Sequence, residues 1–492
     1  MKKLTVLLPM LLCTLCAIAQ QQAKIMTYNI LNYESIDTAR NVYFRTIINA
    51  AKPDILVTQE NTSASGVNIF LNQIMKAVNP VYAAGVFIDS TDTDNAVYFD
   101  SLKFRFVSNT VIRTNLRTIN EFKLIHKSTG DTVRIFSCHL KASSGTSNEN
   151  IRAAEADSLR KYTNALPAGT AFIACGDFNI YGSNEPAYQK LTQNGSGDGK
   201  FNDPLTMTGI WNDSNYKTYH TQSTRTRSFG YGATGGLDDR FDMILYSNSI
   251  KNNGRITYAA GSLTPYGNDG HHYNDSINKI PNTAVSQTIA NALHYGSDHL
   301  PVYAVFNFLP QETNLNLTAV IEGYLDAFNL RMNIKDTLKV LLRNSSPPYE
   351  IKDSSVSVID SVTYEGNFRF SNIYTGNYYI VVKGRNIIET WSKAGGEIIN
   401  AGNNVNYNFT VSSLKAFGEN MILKGGKYCL YSGDVNQDGA ADAGDLSEVE
   451  NSAANSLTGY FSADLNGDYF ADAEDISIVE NNSSAGVISV TP

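Results

Sequence analysis

Six short motifs carry side chains suited to hydrolytic chemistry: Thr27-Tyr28-Asn29, Thr58-Gln59-Glu60, Cys138-His139-Leu140-Lys141, Gly176-Asp177-Phe178-Asn179, Arg240-Phe241-Asp242 and Gly296-Ser297-Asp298-His299-Leu300-Pro301-Val302. Cleaving a phosphodiester needs a hard cation to neutralise phosphate oxygens, an oriented water, donors for developing charge and an acid for the leaving oxygen. Glu60, which closes the apolar run at residues 55–58, is a candidate Mg²⁺ ligand. His139 and His299 are candidate phosphate donors or proton carriers, and Asp242 is suited to orient one imidazole. Read alone, each motif has a plainer meaning. Asp177 and Asn179 fit a turn, a single strand histidine is structural, and Glu60 suits a helix N-terminus. What joins them is position: each set lies at or just past the end of an apolar run, where a sandwich rim gathers side chains into one cleft.

The elements that must hold them follow from hydrophobic patterning. Strands are predicted at residues 25–30, 55–58, 96–99, 107–113, 122–126, 133–140, 171–175, 241–246 and 302–306, and helices at 39–51, 67–78 and 149–165. Strands joined both by hairpins and by helices predict an α+β sandwich with its helices outside.

In this order the motifs closely resemble the endonuclease/exonuclease/phosphatase superfamily, the deoxyribonuclease I-like fold. The resemblance implies a four-layer α/β/β/α catalytic domain over residues 20–308, a hydrolase of phosphate esters that uses Mg²⁺ or Mn²⁺. It implies Asn29 and Glu60 in the metal shell with Asp298 beside it, and His139 as a catalytic histidine. Asp177 and Asn179 would orient water and phosphate, and Asp242 would pair with His299. The general base stays open between Asp177 and His299. Asn95, Arg225 and Arg227 are further substrate-binding candidates, although Asn95 also reads as a strand-start residue and residues 220–239 as a solvated loop. His271, His272 and His294 read as surface histidines, with a second metal site as the alternative.

Residues 315–412 alternate polar and apolar side chains with turn signals between them, which predicts a small all-β sandwich without a catalytic cluster. In the tail, 420–492, Asp434, Asn436, Asp438, Asp442 and Asp445 recur 30 residues later as Asp464, Asn466, Asp468, Asp472 and Asp475. These are positions 1, 3, 5, 9 and 12 of an EF-hand-type loop, so all ten are candidate Ca²⁺ ligands. Gly439 stands at position 6 of the first loop and Tyr469 in the second, where a left-handed backbone costs more. The duplicated pattern resembles the dockerin module, which implies a cohesin-like or cell-surface partner. Positions 10 and 11, Ala443-Gly444 and Ala473-Glu474, carry no hydroxyl residues, and the helices after the loops read as short.

The formal net charge of -8 conceals an asymmetry. Residues 20–308 hold 25 basic and 24 acidic groups and all seven histidines, whereas residues 309–492 hold 12 basic and 23 acidic groups. A polybasic nucleic-acid coat is excluded. The leading expectation is a secreted Mg²⁺-dependent nuclease cleaving extracellular DNA or RNA. The alternatives are a phosphatase or a phospholipase/sphingomyelinase of the same superfamily, or an inert secreted binding protein. An inert relative is expected to lack one of Glu60, Asp177, Asn179 or His299, and all four are present. Lys2, Lys3, the apolar run at residues 4–16 and Ala17 and Ala19 predict a bacterial-type signal peptide at 1–19 with cleavage after Ala19 and no membrane span. Of the remaining cysteines, Cys138 and Cys175 are expected as buried free thiols.

Overall fold

Period-two patterning explains both the core and the site. In the strand Gln21–Tyr33, Ile25 enters a core between two sheets, while Met26 and Tyr28 point out to helices. The strands Ile55–Asn61, Thr132–His139 and Phe172–Asp177 supply Ile55 and Val57, Val133 and Ile135, and Ile173 and Cys175 to that same inner core. Each fully buried side chain of this kind contributes about 1.5–3 kcal/mol. Continuing along the same inner faces, the pattern turns polar: Thr27 and Asn29, Gln59, Ser137 and His139, Asp177. The polar ends therefore collect at one rim of the sandwich.

This computed structural model describes residues 21–492 except 37, 91, 196 and 253. The signal peptide expected at residues 1–19 lies outside the described residues. Among them, no helix is long and apolar enough to cross a membrane. One compact unit spans Gln20–Leu309, and Pro310–Pro492 forms another.

In the first unit, one sheet runs Ile256–Tyr258, Val302–Phe308, Gln21–Tyr33, Ile55–Asn61, Asp94–Asp100, Tyr82–Ala84, with Thr264–Pro265 added beside Val302–Phe308. The other runs Phe104–Ile112, Ile119–His126, Thr132–His139, Phe172–Asp177, Asp242–Ser247, Phe201–Asn202. Helices Asn41–Ala51, Ala64–Phe70 and Gln287–Gly296 cover the first sheet through Phe44, Ile47, Phe70 and Leu293. Helices Thr146–Asn164 and Pro186–Thr192 cover the second through Ala156, Leu159 and Leu191. The result is an α/β/β/α sandwich of the deoxyribonuclease I-like type. Cys138 and Cys175 are buried free thiols.

The second unit contains a three-stranded sheet, Glu365–Phe370, Thr313–Thr318, Asn404–Asn408, and a five-stranded sheet built on Asp336–Asn344 and Gly376–Lys383. Leu317, Leu338, Val340, Phe368 and Ile380 fill the core between them. Beyond it, each calcium-type loop runs into a helix, Ala443–Ala454 and Ala473–Ser484. At 12 residues each they are not the short helices expected from sequence, because capping boxes start them: Asp442 with Asp445, and Asp472 with Asp475. Tyr469 takes the left-handed backbone (φ 73°) that Gly439 takes in the first loop (φ 95°).

Candidate active site

Register brings three site residues into one row. His139 pairs with Asp177 across a parallel ladder, and Asp177 pairs with Asp242 across an antiparallel one. Gly176, in the middle strand, has φ 137°, and a Cβ there would lie 2.0 Å from the Cys138 carbonyl oxygen. Only glycine permits this approach. In the facing sheet, irregular register between Thr58 and Asn61 places Glu60 at φ 62°, and Leu31 and Asn32 also have positive φ. These bulges re-aim side chains at the ends of the two strands.

The groups so placed form a compact ring. His139 Nε2 lies 3.7 Å from Glu60 Oε1 and 3.7 Å from Asp177 Oδ2. His299 Nε2 lies 3.7 Å from Asp177 Oδ2, and its Nδ1 is 2.7 Å from Asp242 Oδ2. Asn29 Nδ2 donates to Glu60 Oε1 (2.9 Å) and Asp177 Oδ2 (3.2 Å). Behind the ring, Thr27 donates to Gln59, Gln59 to Ser137, Ser137 to Asn95, and Asn95 to Asn120. This buried chain satisfies the polar groups between the apolar core and the rim.

Burial, ahead of the neighbouring charges of Asp242 and Glu60, pushes the Asp177 carboxyl up to about 7, although His299 and Asn29 oppose the shift. Burial likewise raises Glu60, against the hydrogen bond from Asn29. For His139, burial and then the charges of Arg117 and His299 lower the imidazole well below its usual range. Burial would lower His299 too, but Asp242 and Asp177 outweigh it and hold it well above that range. The two imidazoles are thus pushed in opposite directions by their surroundings.

Glu60, His139 and Asp177 each offer a ligand atom, all within 4.8 Å of one another. Among the described residues, no lysine or arginine forms an ion pair with Glu60 or Asp177. Two closely spaced carboxylates with no lysine or arginine partner, beside an imidazole whose protonation burial disfavours, suit a divalent metal ion. The donor set fits.

Other expected residues are placed differently. Asn29 braces the two carboxylates through Nδ2, while its Oδ1 accepts from Leu31 N (3.0 Å) and keeps a second lone pair. Asp298 Oδ2 accepts from Ala233 N (2.5 Å) and Gln222 Nε2 (3.4 Å), which ties it to the 222–236 loop. Asn179, left-handed at φ 50°, donates its side-chain amide to the Leu140 carbonyl oxygen (3.3 Å), and its backbone N–H donates to Asp177 Oδ1 (3.1 Å). Asn95 is buried within the polar chain, between Ser137 and Asn120. Arg225 is buried over the Phe229 ring, at 4.9 Å, whereas Arg227 over the same ring is exposed. His272 and His294 are buried, not on the surface as expected; a helix and the 220–239 loop enclose His294, whose Nδ1 meets the Thr224 carbonyl at 3.1 Å. Sequence reasoning missed Gln222, whose amide sits 2.5 Å from His299 Nε2. A loop glutamine has no periodicity to mark it, and its bridge to His299 is purely tertiary.

The chain matches the Endonuclease/Exonuclease/phosphatase family over residues 26–299 and the Dockerin type I domain over residues 432–482. Among curated proteins no match is found. Solved structures similar to it include truncated TDP2 of Caenorhabditis elegans (17% identity, 58% of this chain and 98% of that one, TM-score 0.39). The human Nocturnin catalytic domain with bound sulfate is also similar (19% identity, 59% and 96% coverage, TM-score 0.38). A third is an endonuclease/exonuclease/phosphatase family protein from Bacteroides thetaiotaomicron (16% identity, 59% and 99% coverage, TM-score 0.39). With the family match covering more than half its length, the chain belongs to the Endonuclease/Exonuclease/phosphatase family and is a hydrolase of phosphate ester bonds.

Proposed function

We propose that the protein is a secreted, Mg²⁺-dependent phosphodiesterase, a nuclease acting on extracellular DNA or RNA, with a three-part mature chain. Its parts are the catalytic domain at 20–308, the sandwich at 315–412 and a Ca²⁺-binding repeat at 420–492 that meets a cohesin-like or cell-surface partner. The observation that carries the catalytic reading is the buried ring of Glu60, His139 and Asp177 beside the Asp242–His299 pair. Glu60 and Asp177 would hold the ion, with His139 next to them. When bound, it neutralises phosphate oxygens and lowers the pKa of a water.

The chain's own groups supply the rest. Asp242 accepts from His299 Nδ1 and fixes the ring, which turns Nε2 toward Asp177 and the Gln222 amide; a phosphate oxygen that displaces the amide would accept from Nε2. Asn29 keeps the two carboxylates together before substrate arrives. Arg227, exposed beside the cleft loop, is a phosphate contact. In the calcium loops, Asp434, Asn436 and Asp438 and their counterparts Asp464, Asn466 and Asp468 are the oxygen donors, with Asp442, Asp445, Asp472 and Asp475 at the helix starts.

Purified chain is incubated with plasmid DNA, RNA, sphingomyelin liposomes and sugar phosphates in Mg²⁺, with and without EDTA. EDTA-sensitive cleavage of nucleic acid, abolished in His299→Ala, is the expected result. Turnover of a lipid or sugar phosphate with no nucleic acid cleaved would overturn the nuclease reading.

A further inference from the structure

The two calcium loops share their spacing but not their surroundings. At position 1 of the first, Asp434 is 3% exposed; its Oδ2 accepts from Gly439 N (3.2 Å), and its Oδ1 is buried with no hydrogen-bond partner. At position 1 of the second, Asp464 is fully buried and both oxygens are engaged. Oδ1 accepts from Gly467 N (2.8 Å) and Asp468 N (3.1 Å), and Oδ2 lies 3.5 Å from Arg385 Nη2.

Arg385 follows the strand Gly376–Lys383 and is gripped on several sides. Its Nε donates to Asp336 Oδ2 and Tyr324 Oη, both at 2.9 Å, and Nη1 donates to the Phe461 carbonyl oxygen. Its guanidinium also stacks 4.2 Å from the Tyr460 ring centre. The next residue, Asn386, donates to the carbonyl oxygens of Ser462 and Asp464. A guanidinium does not lose its proton in proteins, so this positive charge is permanent.

A buried carboxylate oxygen without a partner is costly, and a cation relieves that cost. A carboxylate beside a fixed guanidinium already has its counter-charge, and the same charge repels an incoming ion. We propose that Arg385 makes the loops unequal. The first loop takes the tightly held Ca²⁺, and the second is closed by the protein's own cation, binds Ca²⁺ more weakly and keeps its fold without it. The backbone favours the same order, because position 6 is glycine in the first loop and the strained Tyr469 in the second. This inference rests on the calcium reading of both loops.

Calorimetric Ca²⁺ titration of the chelator-stripped full chain tests it. Two sites are expected, the weaker by at least about tenfold in Kd. Asp434→Asn removes the tight site and Asp464→Asn leaves it in place, while Arg385→Gln brings the second site closer to the first. Because Arg385 also anchors Asp336, the two aspartate variants decide the matter even where Arg385→Gln unfolds. Equal sites, or loss of the tight site in Asp464→Asn, would overturn the proposal alone. No Ca²⁺ binding at either loop would overturn it together with the calcium reading.

Discussion

Asp242 and His299 meet in one 2.7 Å contact in a buried place, and in the proposed mechanism this pair carries the proton chemistry. Asp242→Asn keeps the shape but lets the imidazole turn or take the wrong tautomer. We expect kcat to fall about 10²–10⁴-fold with the melting temperature nearly unchanged; a matching loss of stability would mean the pair is structural. Gln222→Ala should shift the pH profile of kcat by removing the amide against His299 Nε2, with the fold intact. Much of this site was legible because Glu60, His139, Asp177 and His299 sit where apolar runs turn polar. Asp298 and His299 are adjacent in sequence yet held differently: His299 enters the ring, while Asp298, close enough for its charge to act on Glu60, accepts from Ala233 N. Arg225, a substrate-binding candidate with a solvated loop as the alternative reading, is buried over Phe229 of its own loop.

At the scale of elements, the site depends on strand ends brought closer than side chains allow. Gly176→Ala should cost about 1–3 kcal/mol or more from overpacking against Cys138 and should lower activity with it. Denaturant unfolding measures the first and hydrolysis the second. The strand Ile119–His126 ends on His126, stacked on Phe308 with ring centres 4.2 Å apart. Burial, opposed by Asp131, lowers its pKa from 6.5 to about 4. Below pH 6.5 the unfolded chain binds a proton that the folded chain refuses, so this contribution is complete above 6.5 and is lost as pH falls toward about 4. His126→Phe should flatten the melting-temperature slope across that window. Helices and strands of the catalytic unit could be read from periodicity. Their ends could not, because the bulges at Glu60 and Leu31 come from pairing between sheet neighbours, not from local propensity.

At the scale of the whole molecule, the charge asymmetry separates two kinds of metal chemistry. The nearly neutral part has the histidines and the buried ring, and the acidic part has the paired loops. A Ca²⁺-selective chelator should therefore lower the melting transition of the Pro310–Pro492 unit and spare catalysis in Mg²⁺. At Ca²⁺ about 100-fold above Kd the stabilisation is about 2.7 kcal/mol; an unchanged melt counts against calcium loops. The repeat itself was visible in sequence. The counter-charge from Arg385 was not, since 79 residues separate it from Asp464.

The most direct test of the central claim measures Mg²⁺ or Mn²⁺ binding and hydrolysis of an activated phosphodiester on the same samples. Wild type should bind the ion and turn over. His299→Ala should bind it and fail to turn over, and Glu60→Gln should lose both. Full turnover by Glu60→Gln in the presence of EDTA would contradict the account.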